Sequence, residues 1–135
     1  MNTLAVYIWI AVGSAAGGVA RYWCSGVVAR LIGETFPWGT FVVNVLGSFV
    51  IGFVATLTAP DGRVFIGSTA RLAIMAGFCG GFTTFSSFSI QTLNLLNDGE
   101  FLYAGANIGL SVILCLVAVW AGSALAVSIN ALRWV

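Results

Sequence analysis

Long stretches without any charged side chain limit what this sequence can fold into. Residues 35–60, 72–97 and 101–132 each run without an Asp, Glu, Lys or Arg. A helix needs about 20 apolar residues to cross the hydrocarbon core of a bilayer, and each stretch is longer than that. Because a charged side chain is costly inside hydrocarbon, the charged residues mark the ends of membrane spans. The first segment, Asn2 to Ile32, is also long enough to cross, although it contains Arg21.

The composition makes lipid the solvent for most of the surface. Hydrophobic residues make up 60% of the chain and charged residues only 7%, whereas soluble proteins carry about a quarter charged residues. We therefore predict an all-α integral membrane protein with four transmembrane helices in one domain. The spans are expected at about residues 3–32, 37–58, 70–97 and 101–130, in a multi-pass protein of the cell inner (plasma) membrane.

Several function classes are excluded by residues that the sequence lacks. There is no histidine, which removes the commonest metal ligand and the commonest general base. No nucleophile within a span has a plausible base beside it, so we do not expect an enzyme. The net charge is only +1 and the arginines are scattered, so no basic patch for nucleic acid is present.

Orientation and assembly are weakly specified. With the amino terminus inside, Arg63, Arg71 and Arg133 would be cytoplasmic against Arg30 outside, a thin bias that leaves insertion in both orientations open. Pairs of small residues four apart predict close helix packing. These pairs are Gly13 with Gly17, Ser14 with Gly18, Gly77 with Gly81, and Gly105 with Gly109. Because four helices cannot easily enclose a pore alone, we expect some of these pairs of small residues to lie where two subunits pack together.

The third span contains a sequence that weakens a helix at mid-membrane. Gly80 and Gly81 are followed after one residue by Thr83 and Thr84, and both residue types have low helix propensity. Freed carbonyls in hydrocarbon are tolerated only if they are buried in protein or bind an ion. The sequence therefore predicts a break between Gly80 and Thr84. The alternative is a kink that only aids packing.

Polar side chains recur at helical spacing in three spans. The predicted columns are Phe85, Phe88, Ser89 and Thr92 in the third span, Thr40, Asn44 and Ser48 in the second, and Asn107 and Ser111 in the fourth. Hydrogen bonding between helices would explain any one column, but three together favour a pathway.

An anion fits this pathway better than a cation. No Asp or Glu lies within the second, third or fourth span, and neutral amide and hydroxyl donors with phenyl ring edges can replace the water around an anion. Arg21 could draw anions toward the path, or it could be an arginine that reaches the headgroup level.

Three segments closely resemble the fluoride channel family known as Fluc or CrcB. They are residues 77–89, which read GFCGGFTTFSSFS; residues 38–40, which read WGT and are followed by Asn44 and Gly47; and residues 17–21, which read GGVAR. The resemblance covers nearly the whole chain. It implies an antiparallel homodimer inserted in both orientations, with two pores along the subunit interface. Such a channel would export cytoplasmic fluoride passively and so protect against fluoride toxicity.

The resemblance also assigns roles to individual residues. Phe85 and Phe88 would offer ring edges to fluoride, Asn44 and Ser111 would belong to the polar lining, and Ser86, Ser87 and Ser89 would form a hydroxyl track. The main-chain carbonyls of Gly80 and Thr83 from both subunits would bind one central, structural Na⁺ ion.

Two other functions stay open on the sequence alone. A small multidrug exporter also has four helices and dual topology, but proton coupling calls for a carboxylate within the membrane, and the first helix has none. A non-conducting membrane assembly subunit would use the polar columns for packing only.

Overall fold

Membrane-length helices make up most of the described chain. The computed structural model describes residues 3–132, and within that range four helices are long and apolar enough to cross a membrane. The predicted all-α architecture with four spans is confirmed. Arg133, which entered the orientation argument, lies outside the described residues.

The first, second and fourth spans are continuous helices. They are α1 (Thr3–Ile32), α2 (Trp38–Leu57) and α6 (Phe101–Ala131). The third span, Ser68–Asn97, is built from shorter pieces: α3 (Ser68–Leu72), a π-helical segment (Ala73–Cys79), α4 (Gly80–Phe82) and α5 (Phe85–Asn97). Wider π-helical turns often mark functional sites, and this one was not predicted from the sequence.

Large apolar side chains face outward and small ones face inward. In α6, Leu116 and Trp120 are exposed whereas Ala118, Gly122 and Ala126 are buried. Lipid is as apolar as leucine, so helices in a membrane gain by close approach of small residues rather than by hiding large ones. The exposed leucine and tryptophan side chains therefore suit a surface that contacts lipid.

Glycines bring α1 against the third span. A Cβ on Gly17 would collide with the Phe78 carbonyl oxygen, and a Cβ on Gly13 would lie 3.2 Å from the Cα of Gly77. Gly13 and Gly17 of α1 thus pack against the segment of the third span that begins at Gly77, within one chain. By contrast, a Cβ added at Gly105 or Gly109 would meet no other described part of the chain within 4 Å, so within the described chain these two glycines pack against no other helix.

Arg63, in the loop of residues 58–67, and Arg71, in α3, bind the carboxyl ends of other helices. Arg63 Nη1 donates to the carbonyls of Ile129 and Leu132, each at 3.2 Å, at the end of α6. Arg71 Nη2 donates to the Ala55 carbonyl at 3.2 Å, at the end of α2. At this end an arginine satisfies unpaired carbonyls, and its positive charge interacts favourably with the negative end of the helix dipole. Arg63 thereby fixes the loop of residues 58–67 to α6, and Arg71 fixes α3 to the end of α2.

We expect Gly17→Ala to lower the free energy of unfolding by about 1–3 kcal/mol, because the added methyl group meets main-chain atoms that cannot move aside easily. Unfolding of the purified protein in detergent would measure this. Gly26→Ala is the matched control in the same helix, since a Cβ at Gly26 has open space. Equal stability of the Gly17→Ala variant and the wild type would contradict the packing described for α1.

Candidate functional site

The third span is interrupted at two threonines. Thr83 has φ −82° and ψ 159°, and Thr84 has φ −153° and ψ 117°, so both are extended between α4 and α5. In a continuous helix the Thr84 amide would donate to the Gly80 carbonyl. Instead it donates to Asn44 Oδ1 at 2.7 Å, and Asn44 Nδ2 donates to the Thr84 carbonyl at 3.0 Å. A side chain from α2 thus satisfies both main-chain groups of Thr84.

The Thr84 hydroxyl begins the next helix. Its oxygen accepts the Ser87 amide at 3.2 Å, which makes Thr84 the N-cap of α5. The same oxygen lies 3.2 Å from Ser86 Oγ and 3.1 Å from Ser87 Oγ. Sequence reasoning gave Thr84 no role beyond the break. Its signal was the threonine itself, a preferred N-cap residue placed directly before a helical run.

A groove of about 420 Å³, the polar groove, lies beside the interruption. Its walls are formed by Asn44, Gly47, Ser48, Ile51, Cys79, Gly80, Thr83, Thr84, Phe85, Phe88, Ser111, Val112, Cys115 and Leu116. The structure therefore brings together the predicted aromatic pair, the predicted amide, Ser111 and the two residues expected to offer carbonyls. Among the described residues that line this groove, none is an Asp, Glu, Lys or Arg.

The rings of Phe85 and Phe88 both line the polar groove. Their centroids are 5.2 Å apart with the planes tilted by 44°, an arrangement typical of favourable ring pairs. The side chain of Phe85 is 78% exposed on the single subunit, while Phe88 is half-buried.

A smaller cavity of about 240 Å³, the arginine cavity, also borders Thr84. It is lined by Arg21, Tyr22, Ser25, Thr40, Val43, Thr84 and Ser87. Thr84 lines both spaces, and the predicted residues Arg21, Thr40 and Ser87 lie in this cavity rather than in the polar groove.

Asn107 lies apart from both spaces. It is 2% exposed, its Nδ2 donates to Thr92 Oγ1 at 2.8 Å, and Ser111 Oγ donates to its Oδ1 at 3.4 Å. Its amide therefore joins α6 to α5, which is the packing role weighed above as the alternative to a pathway. Thr92 is buried against Asn107 and does not share an open face with Phe85.

Ser86 and Ser89 also stand outside the residues that line the two spaces. Both are exposed on the single subunit. Ser89 Oγ donates to the Phe85 carbonyl of its own helix at 2.9 Å.

Comparison with known proteins identifies a family for nearly the whole chain. The model of the family described as CrcB-like protein, Camphor Resistance (CrcB), matches residues 8–123. A Methylocella silvestris protein named fluoride-specific ion channel FluC is 58% identical over 127 residues, which cover 94% of this chain and 97% of the relative. Proteins of the same name from Opitutus terrae and Rhodospirillum rubrum are 59% and 56% identical. Those alignments cover 96% and 92% of this chain, and 98% and 96% of the relatives.

We expect Asn44→Leu to lower the free energy of unfolding by about 2–4 kcal/mol, because it leaves the buried Thr84 amide and carbonyl without partners. Unfolding in detergent would again be the measurement. Ser48→Ala is the control: Ser48 lies one turn further along α2 and lines the same groove. An Asn44→Leu protein as stable as the Ser48→Ala protein would show that the side chain does not hold the interruption.

Proposed function

We propose, from the premise that this chain belongs to the CrcB family, that it is a fluoride-selective channel of the cell membrane. Fluoride accumulated in the cytoplasm leaves through it passively, which protects the cell against fluoride toxicity. Relatives that are more than half identical over nearly the full length carry the name fluoride-specific ion channel. The observation in this chain that carries the proposal is the uncharged groove beside Thr84, which joins aromatic rings to polar donors.

The chemistry of the polar groove suits an anion that must be stripped of water. Asn44 gives one N–H to the Thr84 carbonyl, and its amide carries a second N–H that no described residue accepts. The positive ring edges of Phe85 and Phe88 add weak attraction for a negative ion. Since the lining has no acidic side chain to repel an anion and no basic one to hold it, the ion can enter and leave.

The functional unit is an antiparallel homodimer with two pores, inserted in both orientations. Two features of the single chain support this proposal. The ring of Phe85, which lines the polar groove, is largely exposed, and Gly105 and Gly109 in α6 leave space for another helix to approach. A second copy would close the groove, so that each pore draws residues from both subunits.

The carbonyls of Gly80 and Thr83 fit a structural Na⁺ ion at the centre of the dimer. Both residues line the polar groove, and the Thr84 amide that would pair with the Gly80 carbonyl in a helix is held by Asn44. Main-chain carbonyl oxygens are ligands for alkali cations. One subunit offers only these two, so a complete ligand set requires the same residues of a second copy. The ion would supply positive charge that joins the two interrupted helices.

We expect purified protein in liposomes to release loaded fluoride rapidly when valinomycin and potassium balance the charge, and to release chloride far more slowly. A fluoride electrode and a chloride electrode measure the two rates. Equal rates for fluoride and chloride, or no fluoride release, would overturn the proposal.

Phe85→Leu and Phe88→Leu should each reduce fluoride release about tenfold or more, because an aliphatic side chain has no positive edge. Size-exclusion chromatography should show the assembly unchanged. Phe101→Leu is the control, since this exposed ring at the start of α6 does not line the polar groove. Unchanged fluoride release in both groove variants would remove the rings from the mechanism.

A further inference from the structure

A wide cleft opens at the end of the subunit where α1 finishes and α2 begins. This end cleft has a volume of about 820 Å³, and its walls come from residues 19–30 of α1, the segment of residues 33–40, and residues 91–98 at the end of α5. In the described chain no Cα atom of α1 lies within 8 Å of a Cα atom of α5, so the two helices stand apart and leave space between them. Sites for small organic ligands have volumes of about 300–1,000 Å³. The end cleft is therefore large enough to hold one.

Aromatic side chains form much of the apolar wall of the end cleft. Tyr22 and Trp23 reach it from α1, and both are exposed on the single chain. Phe36 and Trp38 line it from the start of α2, with ring centroids 4.6 Å apart. The faces of aromatic rings attract organic cations as well as apolar groups. The end cleft thus offers contacts to the body of a ligand and to a positive charge.

The charged residues of the end cleft are acidic in balance. Among the described residues that line it, Arg30, Glu34 and Asp98 carry a charge, and all three are exposed. Two acids against one arginine give a net charge of −1. Neither Glu34 nor Asp98 makes an ion pair with another residue of the described chain. This field favours a positive ligand over a negative one.

Gln91 provides a buried acceptor without a donor. Its side chain lines the end cleft, and its Oε1 atom is buried and has no hydrogen-bond partner within residues 3–132. A buried acceptor that stays unpaired is costly, so a group that donates an N–H to it is bound favourably. Fluoride has no proton to donate and cannot satisfy this oxygen.

We infer that the end cleft is a binding site for an organic cation that carries N–H donors on its charged group and an apolar or aromatic body. The acids attract the charge, the rings contact the body, and Gln91 Oε1 accepts an N–H. This site is separate from the proposed fluoride function and is present whether or not the chain conducts fluoride. It adjoins the arginine cavity, which shares Tyr22, Ser25 and Thr40 with the end cleft.

The test measures binding of three related probes to the purified full-length protein in detergent by isothermal titration calorimetry. Phenethylammonium has the charge, the N–H donors and the ring. Neutral phenethyl alcohol should bind about tenfold more weakly because it lacks the charge. Phenethyltrimethylammonium keeps the charge but has no N–H for Gln91, so it should bind about threefold or more weakly than phenethylammonium.

Variants of the end cleft should change the affinity for phenethylammonium in opposite directions. Gln91→Leu should weaken binding about tenfold, and since Oε1 has no partner in the described chain, the change removes no hydrogen bond of that oxygen. Gln91→Glu adds a negative charge and should strengthen binding about threefold or more. Glu34→Gln and Asp98→Asn should each weaken it about threefold. Asp61→Asn is the matched control, because it makes the same change of charge in the loop of residues 58–67, which does not line the end cleft.

Three results would overturn the inference. One is the absence of saturable binding of phenethylammonium, as expected if water or a second copy of the chain fills the end cleft. Another is a Gln91→Leu protein that binds this probe as tightly as the wild type. The third is a loss of affinity in Asp61→Asn equal to the loss in Asp98→Asn, which would reveal a general effect of charge. Since binding is measured without fluoride transport, a failure here leaves the proposed channel function standing, and a protein that releases no fluoride leaves this site standing.

Discussion

Two hydrogen bonds between the Asn44 amide and the main chain of Thr84 allow a membrane helix to be interrupted in this fold. In hydrocarbon there is no water to satisfy a freed amide or carbonyl, so an interruption persists only where protein supplies the missing partners. Asn44 supplies both a donor and an acceptor to one residue. The Thr84 hydroxyl then restarts the helix by accepting the Ser87 amide. Without this pairing, neither the polar groove nor the arginine cavity would have its present walls.

The polar side chains of the third span and its neighbours differ in whether other protein groups already satisfy their hydrogen bonds. Asn107 and Thr92 satisfy each other inside the subunit, and the Ser89 proton is held by its own helix. Around Thr84, by contrast, one N–H of Asn44, the hydroxyl protons of Ser87 and Thr40, and the guanidinium of Arg21 have no acceptor among the described residues. Such unused donors can replace the water around an anion, and none of those in the polar groove carries a permanent charge.

Much of the fold could be predicted from the sequence, because a charged side chain is costly in lipid. Apart from Arg21, which lies within the first span, the four arginines and the four acidic residues mark the ends of the helices. The place of the interruption was also foreseeable to within a few residues, since glycines and threonines weaken a helix. The hydrogen-bond partners of the interruption could not be predicted from the sequence. Helical spacing placed Asn44 in a column with Thr40 and Ser48, but only the packing of α2 against the third span shows that its amide is bound to Thr84. Spacing likewise could not reveal that Asn107 faces Thr92, or that Arg63 and Arg71 end at helix carbonyls, because these contacts join residues distant in the chain.

We propose that uncharged donors and ring edges select a dehydrated fluoride ion where two copies of this chain meet. The most direct measurement is the reversal potential of purified protein in a planar bilayer with fluoride on one side and chloride on the other. We expect a potential set by the fluoride gradient, with chloride contributing almost nothing. A reversal potential near zero at equal concentrations, which means that both anions pass equally well, would contradict it.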